Sequence, residues 1–361
     1  MRILASADWH LRSKHSAFPL GEDGASDLLR AQKEAIEQFV GLYRSGDYDL
    51  TVIAGDLTEY SVLDVATLNA LAYFMRLLSE EDHGPVLILE GNHCIERKDN
   101  LYTVMGAFGL VVADHVKVSI HQELVEYEDF CVWCVPYRSD YKGIEADIKE
   151  MSEKAKKMDG HQIMAFHLPS RNALLDNGFE ANSGVSITSD ITEGFDVCIG
   201  GDYHRHQFLK GNPKAFYTGA PFDLKFGEED KRVFCDVMLN SDGSFEIDTI
   251  PVESAIPLLT KTFDEVMENP ELLTNSVVQF SHPLTAKQRI DIEAFEPYSF
   301  KCKVKKATQE LPDDVDIALT NPGSGTDFEE IIQRCESDLS RGQKQYLEDF
   351  FKKAKGESGK V

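Results

Sequence analysis

A layered α/β fold built on two β-sheets is what the sequence predicts, and three observations predict it. Short, fully apolar runs recur through the first 250 residues. In the first third of the chain they alternate with stretches of helical periodicity, and beyond residue 115 they follow one another with a single helix between them. Apolar runs of that kind mark strands covered on both faces, and their alternation with helices is the βαβ rhythm of a layered domain. Many further strands with few helices then call for a second sheet stacked on the first.

The elements follow in order. Ile3-Leu4-Ala5-Ser6-Ala7 is the first buried strand, and Leu28, Leu29, Ile36, Phe39, Val40 and Tyr43 fall on one face of a helix over 28–43. Leu50-Thr51-Val52-Ile53-Ala54 is the second strand, a helix occupies 60–80, and Pro85-Val86-Leu87-Ile88-Leu89 is the third strand. Further strands are expected at 116–120, 130–135, 162–166, 195–199, 215–218, 232–239 and 244–251, with one helix near 142–158. Residues 1–255 thus make the main domain. Residues 256–306 read as a smaller α/β capping unit with helices near 263–274 and 285–294. From 307 to 325 the chain is polar and carries Pro312, Pro322, Gly323 and Gly325, the composition of a linker. Residues 326–361 hold a C-terminal helix pair. Phe328, Ile331, Ile332, Cys335 and Leu339 line one helix, Tyr346, Leu347, Phe350, Phe351 and Ala354 the next. Each begins with a capping-box pattern, Thr326-x-x-Glu329 and Ser340-x-x-Gln343.

Composition excludes several classes. With 361 residues the chain buries a core large enough to need no disulfide or metal staple. No apolar run approaches the roughly 18 residues of a membrane span, and Met1-Arg2-Ile3-Leu4-Ala5-Ser6-Ala7-Asp8 is charged too soon for a signal peptide. Seven scattered cysteines, an odd number, suit a reducing cytoplasm. Lys and Arg number 37 against 62 Asp and Glu, a net charge of −25, which repels nucleic acid at long range. A simple DNA-coating protein is thereby excluded, but an enzyme whose bound cations meet the phosphate is not.

The chemistry gathers at strand ends. The first strand runs into Asp8-Trp9-His10, the second into Gly55-Asp56 and the third into Gly91-Asn92-His93; two later strands end in His167 and in Asp202-Tyr203-His204. Open α/β sheets place their sites at the carboxyl ends of strands, so these turns should converge. Each signal alone is weak, since a Gly-Asp is commonly a turn and a His after a strand commonly structural. Five in succession are not a coincidence. The mixed imidazole and oxygen donors suit Mn²⁺, Fe²⁺ or Zn²⁺ better than Ca²⁺ and lack the thiolates of a structural zinc site.

In that order, Asp-x-His, Gly-Asp, Gly-Asn-His, a lone His and a Gly-x-x-His ending resemble the calcineurin-like metallophosphoesterases. Gly201-Asp202-Tyr203-His204-Arg205-His206-Gln207, Tyr217-Thr218-Gly219-Ala220-Pro221 and Phe226-Gly227-Glu228-Glu229-Asp230-Lys231 further resemble the SbcD-type DNA repair nucleases, whose pattern is Gly-His-x-His, Tyr-x-Gly-Ser, then Phe-x-Glu and Lys. The resemblance covers about residues 1–250 and rests on architecture alone beyond 256. It implies a two-sheet metallophosphoesterase sandwich holding two divalent cations, Mn²⁺ with Mg²⁺ as the other candidate. One would take Asp8, His10, Asp56 and His204; the other Asp56, Asn92, His167 and residue 202, with Asp56 bridging. His93 matches the catalytic histidine that touches substrate. Asp202 stands where the family has His. In an alternative register His204 and His206 form the His-x-His pair, but the strand at 195–199 and Gly201 lead straight into Asp202. A third carboxylate favours harder cations, Mn²⁺ or Mg²⁺.

The function so implied is a DNA exo/endonuclease processing double- and single-stranded ends in recombination and repair. Its partner would be an SbcC-like coiled-coil ATPase bound through 326–355, and its setting a bacterial cytoplasm or a phage-infected host. Cleavage polarity, ATP dependence and dimer formation stay open. The alternative is a free-standing phosphatase of nucleotides or small phosphoesters, which has no use for 256–361; a non-catalytic scaffold is opposed by the intact ligand set and His93. Cys131-Val132-Trp133-Cys134 reads as a core strand, and His115, His121 and His161 as solvent-exposed. The loop 11–24, with Arg12, Lys14 and His15, is expected either to contact DNA phosphates or to be solvated.

Overall fold

β1 (Arg2–Ser6) stands at the centre of the first sheet, and residues 3–6 are fully buried, as a strand covered on both faces requires. In the computed structural model, residues 1–302 are described apart from 23, 96–102, 172, 176, 177, 229 and 296. The first sheet is completed by β2 (Leu50–Ile53), β3 (Val86–Leu89), β4 (Val116–Ser119), β11 (Val233–Leu239) and β12 (Phe245–Pro251), in the order β12-β11-β1-β2-β3-β4. β1 to β4 run parallel, whereas β11 and β12 join antiparallel. A second six-stranded sheet has the order β5-β6-β7-β8-β10-β9. Its strands are β5 (Glu123–Glu126), β6 (Phe130–Val135), β7 (His161–His167), β8 (Val197–Gly201), β9 (Gln207–Leu209) and β10 (Asn212–Tyr217). The mixed α/β sandwich expected from the sequence is the architecture found.

Side-chain alternation assigns each strand residue to a layer. Ile3, Ala5 and Val52 meet Val132, Ile163 and Ile199 in the core between the sheets. Leu4, Ile53 and Ile88 point the other way, into a cluster with Trp9, Phe39 and Phe74 under α1 (Asp27–Arg44) and α2 (Val65–Ser79). On the far side, Trp133, Met164 and Cys198 pack against Ile144, Ile148 and Met151 of α4 (Tyr141–Ala155). A short α3 (Val104–Phe108) precedes β4. α2 starts at 65 rather than 60 because Asp64 caps it, accepting from the backbone N–H of Ala66 and Thr67. The same carboxylate accepts from Ser13 Oγ at 2.6 Å and so pins the loop after the first ligand pair.

The smaller unit forms a parallel three-stranded sheet, β13 (Leu258–Lys261), β14 (Val277–Phe280) and β15 (Ser299–Cys302). The helix expected over 263–274 is two pieces, α5 (Phe263–Glu268) and α6 (Leu272–Asn275), interrupted at Pro270, which lacks an N–H and cannot continue a helix. α7 (Ala286–Glu293) begins with a full capping box at Thr285 and Gln288. Val266, Leu273, Val278, Phe280 and Ile292 give this sheet its own small core, while Leu258 and Val277 join the large one. The chain divides into two units, residues 1–303 and 304–361, and the described residues all lie in the first. The expected linker at 307–325 and helix pair at 326–361 fall outside the described residues.

The sequence reading passed over β5 and β9, edge strands with exposed or polar residues where a buried strand would be apolar. Cys131 and Cys134 do lie in a buried strand; odd spacing sends Cys134 into the inter-sheet core and Cys131 to the opposite face. Two histidines differ from expectation. His115 is half-buried with its Nε2 2.9 Å from the Leu78 carbonyl, and His161 is half-buried with Nδ1 3.5 Å from Asp196; His121 is exposed as read. Among the described residues no helix is long and apolar enough to cross a membrane.

Phe39 is fully buried edge-on to Trp9, Phe74 and Phe234 at centroid distances of 5.7, 6.0 and 5.0 Å. Phe39→Ala should cost about 3–5 kcal/mol of stability, read from the urea midpoint. A loss below about 1 kcal/mol would place Phe39 outside the core.

Candidate metal centre

All five ligand-bearing strand ends meet at one edge of the sandwich. β1, β2 and β3 are parallel neighbours in one sheet, β7 and β8 in the other, so their carboxyl ends face the same space. The turn after β1 is tied to the turn after β2 by Asp8 N–H to the Gly55 carbonyl at 3.1 Å and His10 N–H to the Asp56 carbonyl at 2.9 Å. Among the described residues four non-glycine residues have positive φ, Asp8 (55°), His10 (45°), Asp56 (48°) and Asp202 (109°), and all four are predicted ligands. Such conformations cost on the order of 1–3 kcal/mol each and persist where the surroundings enforce them. The glycines are needed for approach. A Cβ on Gly55 would lie 2.1 Å from His167 Nδ1, and one on Gly91 2.1 Å from Asp56 Oδ1.

The side chains form three overlapping groups whose donor atoms lie within 4.8 Å of one another: Asp8 with His10 and His204, His10 with Asp56 and His93, and Asp8 with Asp56 and His167. His167 Nε2 is 3.2 Å from Asp56 Oδ2, 3.1 Å from Asn92 Oδ1 and 4.0 Å from Asp202 Oδ1. Asp202 donates its backbone N–H to both oxygens of Asp8, at 3.0 and 3.1 Å. Every residue predicted as a ligand is therefore at this centre. His206 is not: its Nδ1 lies 3.0 Å from the Tyr217 carbonyl and 3.6 Å from Cys235 Sγ.

Three of the four imidazoles are hydrogen-bonded through Nδ1, and His10 has its Nδ1 in an ion-pair contact. The Nδ1 of His10 is 3.0 Å from Glu59 Oε2, that of His167 2.7 Å from the Ala54 carbonyl, that of His204 2.8 Å from Glu228 Oε1, and that of His93 2.9 Å from the Glu59 carbonyl. These acceptors occupy Nδ1 and turn Nε2 toward the centre. Glu59 and Glu228 are fixed in turn. Arg12 Nη1 lies 3.2 Å from Glu59 Oε1, and Leu224 N–H donates to Glu228 Oε2 at 2.9 Å. Arg12 also reaches the Leu224 carbonyl, at 3.3 Å, as does His15 Nε2 at 3.0 Å. The loop after β1 is thus partly built into the centre: Arg12 is buried and committed, neither solvated nor available to phosphate, and His15 is half-buried, while Lys14 is exposed.

The electrostatics are those of buried acids awaiting cations. Burial pushes the Asp8 carboxyl up against the pull of His167 and His204. Burial also pushes Asp202 up, to about 6. It works the same way on Asp56, but there His167, His10 and His93 win and hold the carboxyl well below the usual range. Burial disfavours a charge on His167, yet Asp56, Asp8 and Asp202 raise it to about 10. Glu228 resists its burial through His204 and falls to about 2. Buried carboxylates are costly unless paired, and fully buried His10 has no hydrogen bond at either ring nitrogen, Nδ1 making only the ion-pair contact with Glu59 and Nε2 lying 3.7 Å from Asp56 Oδ2. Clustered carboxylates and an unpartnered imidazole nitrogen fit divalent cations. Beside His93 opens a cleft of about 490 Å³ lined by Glu59, Tyr60, Ser61, Val62, Asn92, His93 and Ile95.

Sequence reasoning gave no roles to Glu59, Glu228 or Arg232, and expected Arg12 at DNA phosphates or in solvent rather than on Glu59. Glu228 lay in a quoted motif, and Glu59 follows Asp56 by three residues, but neither spacing tells which imidazole it would reach. Because Glu59 Oε2 lies 3.0 Å from His10 Nδ1, Glu59→Ala should weaken divalent-metal binding by about 10–100-fold in calorimetric titration. Unchanged affinity would show that His10 needs no support from it.

Residues 1–206 match the calcineurin-like phosphoesterase family. An uncharacterized protein of Acanthamoeba polyphaga mimivirus is 30% identical over 80 residues, 22% of this chain and 6% of that one, so the chain matches only a small part of that relative's length. Among solved structures, TT1561 of Thermus thermophilus is 16% identical, with a TM-score of 0.41, over 69% of this chain and 98% of that one. A dimetal phosphatase from Danio rerio is 10% identical, with a TM-score of 0.44, over 70% and 96%. A Vps29 single mutant from Entamoeba histolytica is 12% identical, with a TM-score of 0.29, over 70% and 99%. With the ordered ligand series at its strand ends and more than half its length matched, the chain belongs to the calcineurin-like phosphoesterase family.

Proposed function

We propose that this phosphoesterase is a Mn²⁺-dependent DNA exo/endonuclease that processes DNA ends with a coiled-coil ATPase partner. The observation that carries the reading is the contact of Glu228 with His204 Nδ1 at 2.8 Å. It supports the reading because Glu228 belongs to the Phe-x-Glu segment by which the sequence resembles the SbcD-type nucleases, so that segment serves the centre.

Asp8, His10, Asp56 and His204 would hold one cation, and Asp56, Asn92, His167 and Asp202 the other. Bound there, divalent cations supply Lewis-acid polarisation of the phosphodiester and a water of lowered pKa. The chain's own residues do the rest. Asp56 faces both positions, and the His93 backbone N–H donates to its Oδ1 at 2.9 Å, fixing the shared carboxylate. With its Nδ1 on the Glu59 carbonyl, His93 presents Nε2 to the oxygen that departs and, when protonated at both ring nitrogens, donates the Nε2 proton to it. The cleft beside His93 takes the leaving side of the substrate.

A net charge of −25 favours the other reading, a phosphatase of nucleotides or small phosphoesters, because a long polyanion is repelled more than a short one. Digestion of end-labelled duplex and single-stranded DNA with Mn²⁺, with and without a coexpressed ATPase, separates the two. Nucleotide release from DNA is expected; hydrolysis confined to small phosphoesters overturns the nuclease.

Four variants probe the roles. His93→Ala should lose about 10²-fold or more in cleavage, the usual scale of an acid–base group, while elemental analysis still finds two metals. Loss of a metal would make His93 a ligand instead. Asp202→Ala should weaken one metal position and cut activity at low Mn²⁺, whereas His206→Ala should do neither; the reverse would establish the other register. Truncation to residues 1–325 removes the segment proposed to bind the ATPase, which lies outside the described residues. It should keep basal cleavage and lose copurification with the ATPase, and undiminished copurification refutes that assignment.

A further inference from the structure

His204 is supported by more than Glu228. Arg232, itself buried, sends Nη1 to the His204 carbonyl at 2.9 Å, hydrogen-bonds the Glu228 carbonyl through Nη2, and pairs through Nε with Asp223 Oδ1. Asp223 is buried as well, and its second oxygen accepts the backbone N–H of Leu258 at 2.8 Å. Leu258 is the first residue of β13, the strand that opens the three-stranded unit. An unbroken run of largely buried, charge-assisted contacts therefore leads from a backbone amide of the three-stranded unit, through Asp223 and Arg232, to both the main chain and the side-chain partner of His204.

Other contacts of that unit run to α1 and to the loop after β1: Tyr298 Oη donates to Asp27 Oδ2 at 2.8 Å, Ser299 Oγ to the Ala17 carbonyl at 3.4 Å and Lys301 Nζ to the Ser16 carbonyl, none of them to a predicted metal ligand. The geometry of Asp223 and Arg232 is hard to explain as stability alone. Pairing of buried charges gains little over apolar packing of the same volume, yet here five directed contacts converge on one loop and its imidazole. Charge-assisted bonds of this kind fix orientation, and the partners that orient a metal-ligating imidazole tune its affinity.

We propose that Arg232 and Asp223 are positioning residues that couple the seating of β13 to the orientation of His204, so that metal affinity at the His204 position depends on the three-stranded unit. The inference rests on the reading of His204 as a metal ligand. Coupling of this sort is reciprocal: metal at His204 must then tighten the Leu258 amide on Asp223.

The test uses the full chain and Mn²⁺ alone. Asp223→Asn and Arg232→Lys should each lower the affinity of one of two Mn²⁺ positions by about tenfold and leave the second unchanged. Asp236→Asn, which breaks the more exposed Arg2–Asp236 pair at the other end of β1, should change neither although it too removes an Arg–Asp ion pair. In the wild-type chain, where folding is not in question, Mn²⁺ should slow hydrogen exchange several-fold in the peptide covering 256–262 relative to that covering 286–293. Equal losses at both positions, or an effect of Asp236→Asn as large, would reduce the network to a structural one and overturn the proposal. So would unchanged exchange at 256–262 in a chain that binds two Mn²⁺. A wild-type chain that binds no Mn²⁺ would overturn the metal centre itself, and the coupling with it.

Discussion

The fixing of four imidazoles by their Nδ1 atoms is the constraint on which the rest of the centre depends. His10, His93, His167 and His204 come from four strand ends in two sheets, and each has an oxygen within 3.0 Å of Nδ1. Two of these belong to main-chain carbonyls, which the fold places without further help. The other two are the carboxylates of Glu59 and Glu228, which need holding themselves, and the loop between β10 and β11 does much of that holding. Leu224 contributes its N–H to Glu228 and its carbonyl to Arg12, which in turn grips Glu59. A single loop therefore serves both side-chain-anchored histidines.

The cost of this arrangement is visible in the backbone and in the charges. Asp8, His10, Asp56 and Asp202 occupy conformations that glycine prefers, and Asp8, Asp56 and Asp202 bring carboxylates into space from which water is largely excluded. Asp56, Asp8 and Asp202 raise His167 to about 10, so that imidazole answers part of their charge. Divalent ions supply positive charge in a form able to polarise a phosphoester. Rigid strands on both sides make the strain tolerable, since ligands borne on paired sheet elements lose little order on binding.

Much of this was legible in the sequence because buried strands announce themselves as unbroken apolar runs. Ile3 to Ala7, Leu50 to Ala54 and Pro85 to Leu89 could be read as strands, and the Asp, Asn and His that follow could then be placed at one edge by topology. What stayed hidden depended on contacts between residues far apart. Nothing in the local pattern tells that Arg12 turns inward to Glu59, or that Arg232 reaches back across 28 positions to His204. The loop after β1 looked solvated because Arg12, Lys14 and His15 are polar, and polarity alone does not distinguish a solvated residue from a paired one. Edge strands β5 and β9 escaped for the opposite reason, having too little apolar pattern to register.

The central claim is that two cations share Asp56 between imidazoles held by their Nδ1 atoms. Electron paramagnetic resonance of the full chain during titration with Mn²⁺ tests it most directly. The account predicts that signal loss and a spin-coupled spectrum develop as the second equivalent binds, since ions sharing a carboxylate lie close enough to couple. A spectrum of isolated Mn²⁺ that saturates at one equivalent, or two equivalents with no coupling, would contradict it.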